Sequence, residues 1–133
     1  MLVRPITKEE RLQSAQLFAI AFESPFDPNA LTPFAENPCI WAAFDEESGE
    51  MMSTVYVTDY RVHFDGGRYK MGGIGGVASL PQYRRAGGIR ACFQKALPIL
   101  YREGYVFSYL YPFSTAYYRK FGYESCVQRY LAV

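Results

Sequence analysis

The most informative stretch of this sequence is Gly76-Val77-Ala78-Ser79-Leu80-Pro81-Gln82-Tyr83-Arg84-Arg85-Ala86-Gly87-Gly88-Ile89-Arg90. The stretch begins as a strand, passes through a basic turn and enters a segment whose apolar residues recur at helical spacing, which predicts a helix over residues 87–103. The first turn of a helix has backbone N–H groups without partners, and the helix dipole adds partial positive charge there. The turn is therefore a candidate phosphate site.

Two kinds of residue in this turn suit an anionic ligand. Gly87 and Gly88 have no Cβ, so that the backbone can approach a ligand closely. Arg84, Arg85 and Arg90 add positive charge nearby. The same residues would also suit an ordinary strand-to-helix loop with solvated arginines, and this stretch alone leaves that alternative open.

Strands and helices alternate around this stretch. Strands are predicted at residues 2–6, 39–44, 51–59 (with 60–64 as a continuation or a separate strand), 68–79, 106–111 and 124–132. Asp65-Gly66 indicates a hairpin, because both central positions of a type I′ turn need a positive φ. One helix is predicted after a capping box at residues 7–10, and a short one at 115–120 after Ser114; the first should bury the face formed by Leu12, Ala15, Ala19 and Phe22. This order indicates an α+β (mixed α/β) fold, with helices covering a largely antiparallel sheet.

Length, charge and cysteine usage limit the class of protein. The 133 residues suit a single domain, residues 1–133, and 50% of them are hydrophobic, so a buried core is expected. A net charge of +1 gives no electrostatic case for nucleic acid or for a polybasic membrane surface. Cys39, Cys92 and Cys126 form no CxxC pair and His63 is the single histidine, so no metal site is predicted. Three reduced thiols and an N-terminus without a signal peptide favour a cytoplasmic location.

A second motif lies on the predicted short helix and reads Tyr117-Tyr118-Arg119-Lys120-Phe121-Gly122-Tyr123. Together with the first stretch it resembles the GNAT superfamily of N-acetyltransferases. That family has an R/Q-x-x-G-x-G/A turn after a strand, often preceded by V-x-x-x-P, and Val77 and Pro81 take those two places here. It later has a Y-x-x-F-G-F/Y stretch, which is matched here from Tyr118 to Tyr123. The two motifs come in the expected order, separated by one helix and one strand.

The resemblance is closest to the Eis-like branch (enhanced intracellular survival proteins) and runs from about Gly66 to the C-terminus. Ile89 stands where most GNAT members have Gly or Ala, and Eis-like members also favour an aliphatic residue there. Those proteins resemble tandem assemblies, with a second GNAT-like domain and a C-terminal sterol-carrier-like domain whose terminal carboxylate acts as the base. This chain ends at Val133 without them, which implies a fragment of a longer protein or an unusually short member. A terminal strand with an open edge invites pairing, so a homo-oligomer or additional domains are expected.

The resemblance also implies a cofactor, acetyl-CoA, and the residues that bind it. Backbone groups of Val77, Ala78 and Ser79 would bond pantetheine, and the amides from Arg85 to Arg90 would hold the pyrophosphate. The expected cofactor-binding residues are Val77, Ala78, Ser79, Arg84, Arg85, Ala86, Gly87, Gly88, Ile89 and Arg90.

The resemblance places Tyr118 near the coenzyme sulfur, as the catalytic acid. A phenol with a pKa near 10 can protonate a leaving thiolate, and a strand amide such as that of Val77 can polarise the thioester carbonyl. The alternative for Tyr118 is a core tyrosine, one of twelve in the chain. The incoming amine needs a base or a water relay, and no residue is assigned to that role.

Four residues after the first helix are candidates for an acceptor pocket. In the family this loop walls the pocket, where Glu23, Asp27 and Glu36 could attract a cationic amine and Phe26 could line the wall. The alternative is a solvated loop. The acceptor expected is a primary amine on a small cationic compound or on a lysine side chain.

Two further functions stay open at this stage. The chain could be a non-catalytic GNAT-shaped module that binds coenzyme A or a partner, or a nucleotide-phosphate binder unrelated to coenzyme A. Binding of acetyl-CoA, release of free thiol and competition with ATP distinguish the three.

Overall fold

Within the residues described by the computed structural model, 1–27 and 39–126, one sheet of five strands organises the chain. The strands lie side by side in sequence order: β1 (Leu2–Pro5), β2 (Cys39–Phe44), β3 (Met51–Phe64), β4 (Gly67–Ser79) and β5 (Tyr105–Leu110). β1 to β4 pair antiparallel, whereas β5 pairs parallel to β4. The predicted α+β fold with a largely antiparallel sheet is confirmed.

Among the described residues, three α-helices cover this sheet: α1 (Arg11–Ala21), α2 (Gly88–Arg102) and α3 (Thr115–Arg119). Before α1, the Thr7 N–H donates a 2.8 Å hydrogen bond to Glu10, as half of the predicted capping box. Before α3, Ser114 Oγ accepts from the Tyr117 N–H, as predicted. α2 is the crossover between β4 and β5, which is why these two strands are parallel.

The sheet is buried on both faces. On the face that carries α2, one cluster includes Trp41, Val55 and Phe93. On the α1 face, a second cluster includes Leu17, Ile40 and Ala78. Adjacent residues of β2 belong to different clusters because strand side chains point alternately to opposite faces.

The face of α1 that contacts the sheet differs from the prediction. Leu12 is 43% exposed and Phe22 is 52% exposed, whereas Ser14 and Leu17 are buried. The helix is amphipathic only weakly, because Leu12, Leu17, Phe18 and Ile20 surround its axis. The sequence offers several possible buried faces, and contact with β3 and β4 selects the one with Ser14 and Leu17.

The long β3–β4 hairpin has the predicted turn and one irregularity. Asp65 and Gly66 both have positive φ, 48° and 78°, as a type I′ turn requires. The register shifts between Thr54 and Tyr56, opposite Gly76, whose φ is 54°. This β-bulge bends β4 shortly before its C-terminal end.

The strand predicted at residues 124–132 is not found at residues 124–126, the part of it that the structure describes. Glu124, Ser125 and Cys126 lie outside any strand, and Arg119 forms an ion pair with Glu124 instead. Residues 127–132 lie outside the described residues. None of the helices in residues 1–27 and 39–126 is long and apolar enough to span a membrane.

Candidate active site

A gap opens in the sheet where β5 leaves β4. The two strands pair from Lys70 opposite Tyr105 to Ile74 opposite Leu110, where β5 ends. β4 continues for five more residues, 75–79, and no described strand pairs with that side of it. We call this opening the β4–β5 gap.

The hydrogen-bond pattern shows which backbone groups face the gap. The Leu80 N–H donates a 2.9 Å hydrogen bond to the Met52 carbonyl, so the backbone of Leu80 faces β3. Backbone groups alternate in direction along a strand, so the N–H and C=O of Ser79 point away from β3 and towards the gap. The gap therefore offers a strand-like donor and acceptor to an extended ligand.

The turn before α2 curls its backbone into a concave surface. Arg85 has a φ of 67° and Gly87 a φ of 84°, both in the left-handed region. Alternation of left- and right-handed residues makes successive N–H groups converge, which is the geometry of an anion-binding nest. We call residues 84–90 the α2 cradle.

The first turn of α2 supplies donors to this cradle. Its first intrahelical hydrogen bond runs from the Ala91 N–H to the Gly87 carbonyl, 3.0 Å. The N–H groups of Gly88, Ile89 and Arg90 come before that bond and are the unpaired donors of the helix start. The positive end of the helix dipole lies at the same place, so the cradle is suited to a phosphate or diphosphate.

The side chains of the cradle divide into two groups. Arg84, Arg85 and Arg90 are exposed and add positive charge at the surface. Ile89 is half-buried and packs against the core cluster on the α2 face. Its branched side chain is therefore directed into the protein. Ile89 thus leaves the outer side of the cradle open.

The two glycines of the cradle have different roles. A Cβ at Gly87 would meet nothing within 4 Å, so open space lies in front of the helix start. A Cβ at Gly88 would instead overlap Ser53 Oγ on β3 and lie 2.9 Å from Ser53 Cβ. The expectation that both glycines make room for a ligand needs correction, because the missing Cβ of Gly88 makes room for the sheet.

Tyr118 lies in the core cluster on the α2 face and is 3% exposed. Its ring meets Phe93 of α2 edge-on, with a centroid distance of 6.3 Å, and it also contacts Phe113 and Tyr117. Burial, with smaller contributions from Tyr117 and Tyr123, raises the pKa of Tyr118 to about 12. Its phenol is therefore protonated at neutral pH, but the raised pKa also makes it a weaker acid than an exposed tyrosine.

The candidate acceptor residues lie after the C-terminal end of α1. Glu23 and Asp27 are exposed, and Phe26 is 39% exposed. Glu36 lies outside the described residues. The rings of Phe22 and Phe18 contact each other in a tilted arrangement, with centroids 4.6 Å apart, and the Phe18 ring lies 6.1 Å from that of Tyr56, so an aromatic path leads from this segment towards β3.

Tyr56 lies beside the gap but is not among the site residues predicted from the sequence. Its ring lies against Gly76, where a Cβ would come within 2.5 Å of it, and so it covers the bulge of β4 beside the gap. Burial raises the pKa of Tyr56. One tyrosine among twelve gives no sequence signal for this position.

A second missed contact holds the entrance to the cradle. Tyr83 ends a short 3-10 turn, Pro81–Tyr83, directly before Arg84. Its hydroxyl donates a 2.7 Å hydrogen bond to Glu50 in the turn between β2 and β3. The sequence showed both residues, but only the fold brings positions 33 residues apart into contact.

Taken together, the described residues fit a ligand with an extended arm and a diphosphate. The β4–β5 gap can pair with the arm through backbone groups, and the α2 cradle at the end of β4 can bind the diphosphate. Acyl-coenzyme A has both parts, and the exposed arginines suit its negative charge.

Comparison with known proteins identifies the family. The family model described as an acetyltransferase (GNAT) domain matches residues 2–126. The chain therefore belongs to the GNAT acetyltransferase family, an acyltransferase family. No match was found among curated proteins.

Solved structures agree with this assignment. A probable N-acyltransferase of unknown function from Enterococcus faecalis V583 has a TM-score of 0.85 and 34% sequence identity over 92% of this chain. Eis1 from Mycobacterium abscessus has a TM-score of 0.75 and 20% identity over 92% of this chain. This chain spans only 32% and 31% of those two proteins, about a third of their length.

A third structure matches over nearly its whole length. The aminoglycoside 6′-N-acetyltransferase from Acinetobacter haemolyticus has a TM-score of 0.77 and 15% identity, and the match covers 100% of this chain and 97% of that one. At 15% identity, as at the 20% identity of Eis1, the similarity shows a shared fold.

Proposed function

We propose that this chain is an N-acetyltransferase that transfers an acetyl group from acetyl-CoA to a primary amine by direct attack in a ternary complex. The observation that carries the proposal is the β4–β5 gap, which opens after the pair Ile74–Leu110 and lies beside the α2 cradle. Membership of the GNAT family supports the same reaction class.

Acetyl-CoA would bind across these two features. Backbone groups of Val77 and Ser79 would pair with the pantetheine arm. The expected role of Ala78 needs correction, because it pairs with Thr54 and by the same alternation its backbone faces β3. The amides of Gly88, Ile89 and Arg90 would hold the diphosphate, whereas the Ala86 N–H already donates a 3.1 Å hydrogen bond to the Tyr83 carbonyl. The arginines Arg84, Arg85 and Arg90 would add long-range attraction. The bound thioester makes the acetyl group transferable to an amine.

The transfer needs a proton to reach the departing sulfur. The neutral amine attacks the acetyl carbonyl, the carbon–sulfur bond breaks, and Tyr118 is the residue proposed to protonate the thiolate. The proton that the amide nitrogen then loses would return through water to the Tyr118 phenolate, which restores the phenol. The backbone amide of Val77 is proposed to polarise the carbonyl during attack. Tyr118 belongs to the same buried cluster as Ile74, and Leu110 packs against that cluster, so the tyrosine shares a cluster with the pair after which the gap opens, which supports this role.

The acceptor would be a cationic compound: a small amine, an aminoglycoside-like compound or a lysine side chain. Exposed carboxylates of Glu23 and Asp27, with Phe26 between them in the chain, support a cationic amine. Glu36 is proposed for the same pocket. The aminoglycoside acetyltransferase that shares the fold supports an acceptor of this kind.

An Eis-like assembly is proposed for the complete protein. The E. faecalis protein and Eis1 are each about three times as long as this chain. Phe64, Tyr69, Phe107 and Tyr109 form contacting rings on the sheet, and Phe64 and Tyr109 remain 59% and 43% exposed. Additional domains or a second copy of the chain would cover such a surface. Sedimentation of this chain tests for a second copy, and the downstream reading frame tests for additional domains.

A cytoplasmic location is proposed as well. Cys39, Cys92 and Cys126 are free thiols, which suits a reducing compartment. Fractionation of cells that produce the protein tests the location.

One experiment tests the central proposal. Titration calorimetry measures acetyl-CoA binding, and a thiol-release assay with a polyamine, an aminoglycoside and a lysine peptide measures transfer. Binding with amine-dependent release of thiol is expected. ATP should not displace acetyl-CoA at equal concentration; displacement would favour a nucleotide-phosphate binder.

A non-catalytic coenzyme A-binding module is the second candidate. The deep burial of Tyr118 among aromatic rings favours it, because a core tyrosine has the same environment. Binding of acetyl-CoA without thiol release for any amine would support this module and contradict the transferase.

A further inference from the structure

The first turn of α2 approaches the sheet more closely than a residue with a side chain would allow. A Cβ at Gly88 would overlap Ser53 Oγ, lie 2.9 Å from Ser53 Cβ and lie 3.5 Å from Ala43 Cβ. Further along the helix the contact is made by a large side chain, since Leu100 packs over Gly72. The start of α2 is therefore lowered onto the sheet at Gly88.

A row of small residues makes this close approach possible. Ala43 on β2 pairs with Ser53 on β3, and Ser53 pairs with Ser79 on β4. The three side chains lie side by side beneath the start of α2, and both Ala43 and Ser53 are fully buried. We call this row the α2 seat.

The seat connects the two parts of the proposed acetyl-CoA site. Ser53 Oγ lies 2.6 Å from Ser79 Oγ, a hydrogen bond between β3 and the end of β4. Ser79 directs its backbone to the β4–β5 gap, and Gly88 offers the first unpaired amide of α2. Ser53 contacts both residues but, being fully buried, is not placed to touch a ligand itself.

We propose that Ser53 is a positioning residue, which sets the height of the first turn of α2 above β4. That height fixes the distance between the amides that hold the diphosphate and the backbone that pairs with pantetheine. A larger side chain at position 53 or 88 would raise the cradle while leaving the gap in place. The inference rests on the proposed function, because it assigns a role towards acetyl-CoA.

Two enlarging variants and one matched control test the seat. Ser53→Val and Gly88→Ala should each lower the affinity for acetyl-CoA by about tenfold or more, the cost of overpacking one contact. Ser53→Ala removes the hydrogen bond but adds no volume, so its loss should stay below about threefold. Calorimetry measures the three affinities against the unmodified chain.

A truncated ligand separates positioning from a general loss of structure. S-acetylpantetheine has the thioester arm but no diphosphate, and its binding can be followed by NMR at millimolar concentration. Its affinity should change by less than about twofold in Ser53→Val and Gly88→Ala. An equal loss for both ligands would overturn the inference, because damage to the whole site affects the arm as well.

A compensating pair provides the second measurement. Ser53→Gly combined with Gly88→Ala removes the overlapping atoms and leaves only the 3.5 Å contact with Ala43. This double variant should bind acetyl-CoA more tightly than Gly88→Ala alone, and failure to recover affinity would contradict the seat. If Ser53→Val does not fold, this double variant still tests the proposed role of Ser53.

The two proposals fail in different ways. An unmodified chain that does not bind acetyl-CoA contradicts the proposed function. If the unmodified chain binds acetyl-CoA and the Gly88→Ala variant binds it with equal affinity, only the proposed role of Ser53 is contradicted.

Discussion

The hydroxyl of Tyr83 donates a 2.7 Å hydrogen bond to Glu50, which joins the turn before the α2 cradle to the turn between β2 and β3. Asp45 Oδ2 lies 3.5 Å from the same hydroxyl. The hydrogen bond to the Glu50 carboxylate raises the pKa of Tyr83, because it stabilises the protonated phenol. The contact therefore persists at neutral pH and holds the cradle entrance to the sheet.

Replacing Tyr83 by Phe should loosen this entrance. The turn at Pro81–Tyr83 loses its bond to Glu50, so hydrogen exchange at the amides of residues 84–87 should become faster. Affinity for acetyl-CoA should fall by about twofold to tenfold. Tyr101→Phe is the matched control, since Tyr101 is 81% exposed on α2, and it should change neither measurement. Unchanged exchange in Tyr83→Phe would show that Glu50 does not hold the turn.

Neutralising the cradle arginines should weaken binding in a salt-dependent way. Arg84→Gln and Arg90→Gln each remove a positive charge from an exposed position beside the helix start. Each should lower acetyl-CoA affinity by about threefold to tenfold at low salt, and by less at 0.5 M salt because exposed charges are screened. Arg102→Gln, at the other end of α2, is the control and should have little effect. Equal losses for all three variants would contradict a local phosphate site.

Removing the Tyr118 hydroxyl tests the proposed acid. Tyr118→Phe keeps the buried ring, so the melting temperature should stay nearly unchanged, while kcat should fall by about a hundredfold or more. The KM for acetyl-CoA should change little, because the hydroxyl acts on the departing sulfur. Tyr117→Phe is the adjacent control and should keep kcat. A Tyr118→Phe variant with full turnover would contradict the acid role.

The pH profile gives an independent test of the same residue. With the pKa of Tyr118 near 12, the phenol stays protonated as the acceptor amine loses its proton. Turnover should therefore rise with pH through the titration of the amine, without a descending limb below about pH 10. A fall in kcat between pH 8 and 9 would mean that another group acts as the acid.

An ion pair at the start of α1 should make stability depend on acid pH. Glu10 accepts hydrogen bonds of 2.7 and 2.9 Å from Arg4, and this interaction lowers the pKa of Glu10 from 4.5 to about 2. A carboxyl whose pKa is lower in the folded state stabilises the protein above its unfolded pKa, and this contribution is lost as the pH falls from about 4.5 to 2.

Glu10→Gln should therefore destabilise the protein at pH 7 and much less at pH 2. Because Arg4 is partly exposed, the free energy of unfolding should fall by about 1 to 2 kcal/mol at neutral pH. Glu9→Gln, on the exposed neighbour, should change it by less than about 0.5 kcal/mol. Urea denaturation at several pH values measures both, and a loss in Glu10→Gln that does not depend on pH would contradict the ion pair.

Thiol accessibility gives a further prediction, which also matters for thiol-release assays. Burial raises the pKa of Cys92 to about 12, so its thiol should react very slowly in the folded protein. Cys39 and Cys126 are exposed and should both react with a disulfide reagent well before Cys92, and Cys39 should react more slowly than an ordinary exposed thiol because burial of its sulfur raises its pKa. A rapid reaction of all three cysteines would show that the core around Cys92 opens readily.

Local signals in the sequence identified most elements correctly. The hairpin at Asp65-Gly66, the capping residue Ser114 and the long helix after Gly87 each depend on chemistry within a few residues, and each is found in the structure. The predicted buried face of α1 was wrong at Leu12 and Phe22, although Ala19 is buried as predicted, because a weakly amphipathic helix takes its orientation from the sheet that it meets. The last predicted strand failed at residues 124–126, where Arg119 holds Glu124 in an ion pair.

The family-defining turn, its glycines and arginines, and the motif that contains Tyr118 can be read from the chain without a structure, because these residues are contiguous and each residue type has its own local requirement. The tertiary structure alone decided that β5 leaves β4 at Ile74, that Tyr83 meets Glu50, and that Ser53 lies beneath Gly88. Those relationships join residues far apart in the chain, and no local preference encodes them. They arise when the strands and helices pack together, because the space between them is fixed by all the side chains that fill it.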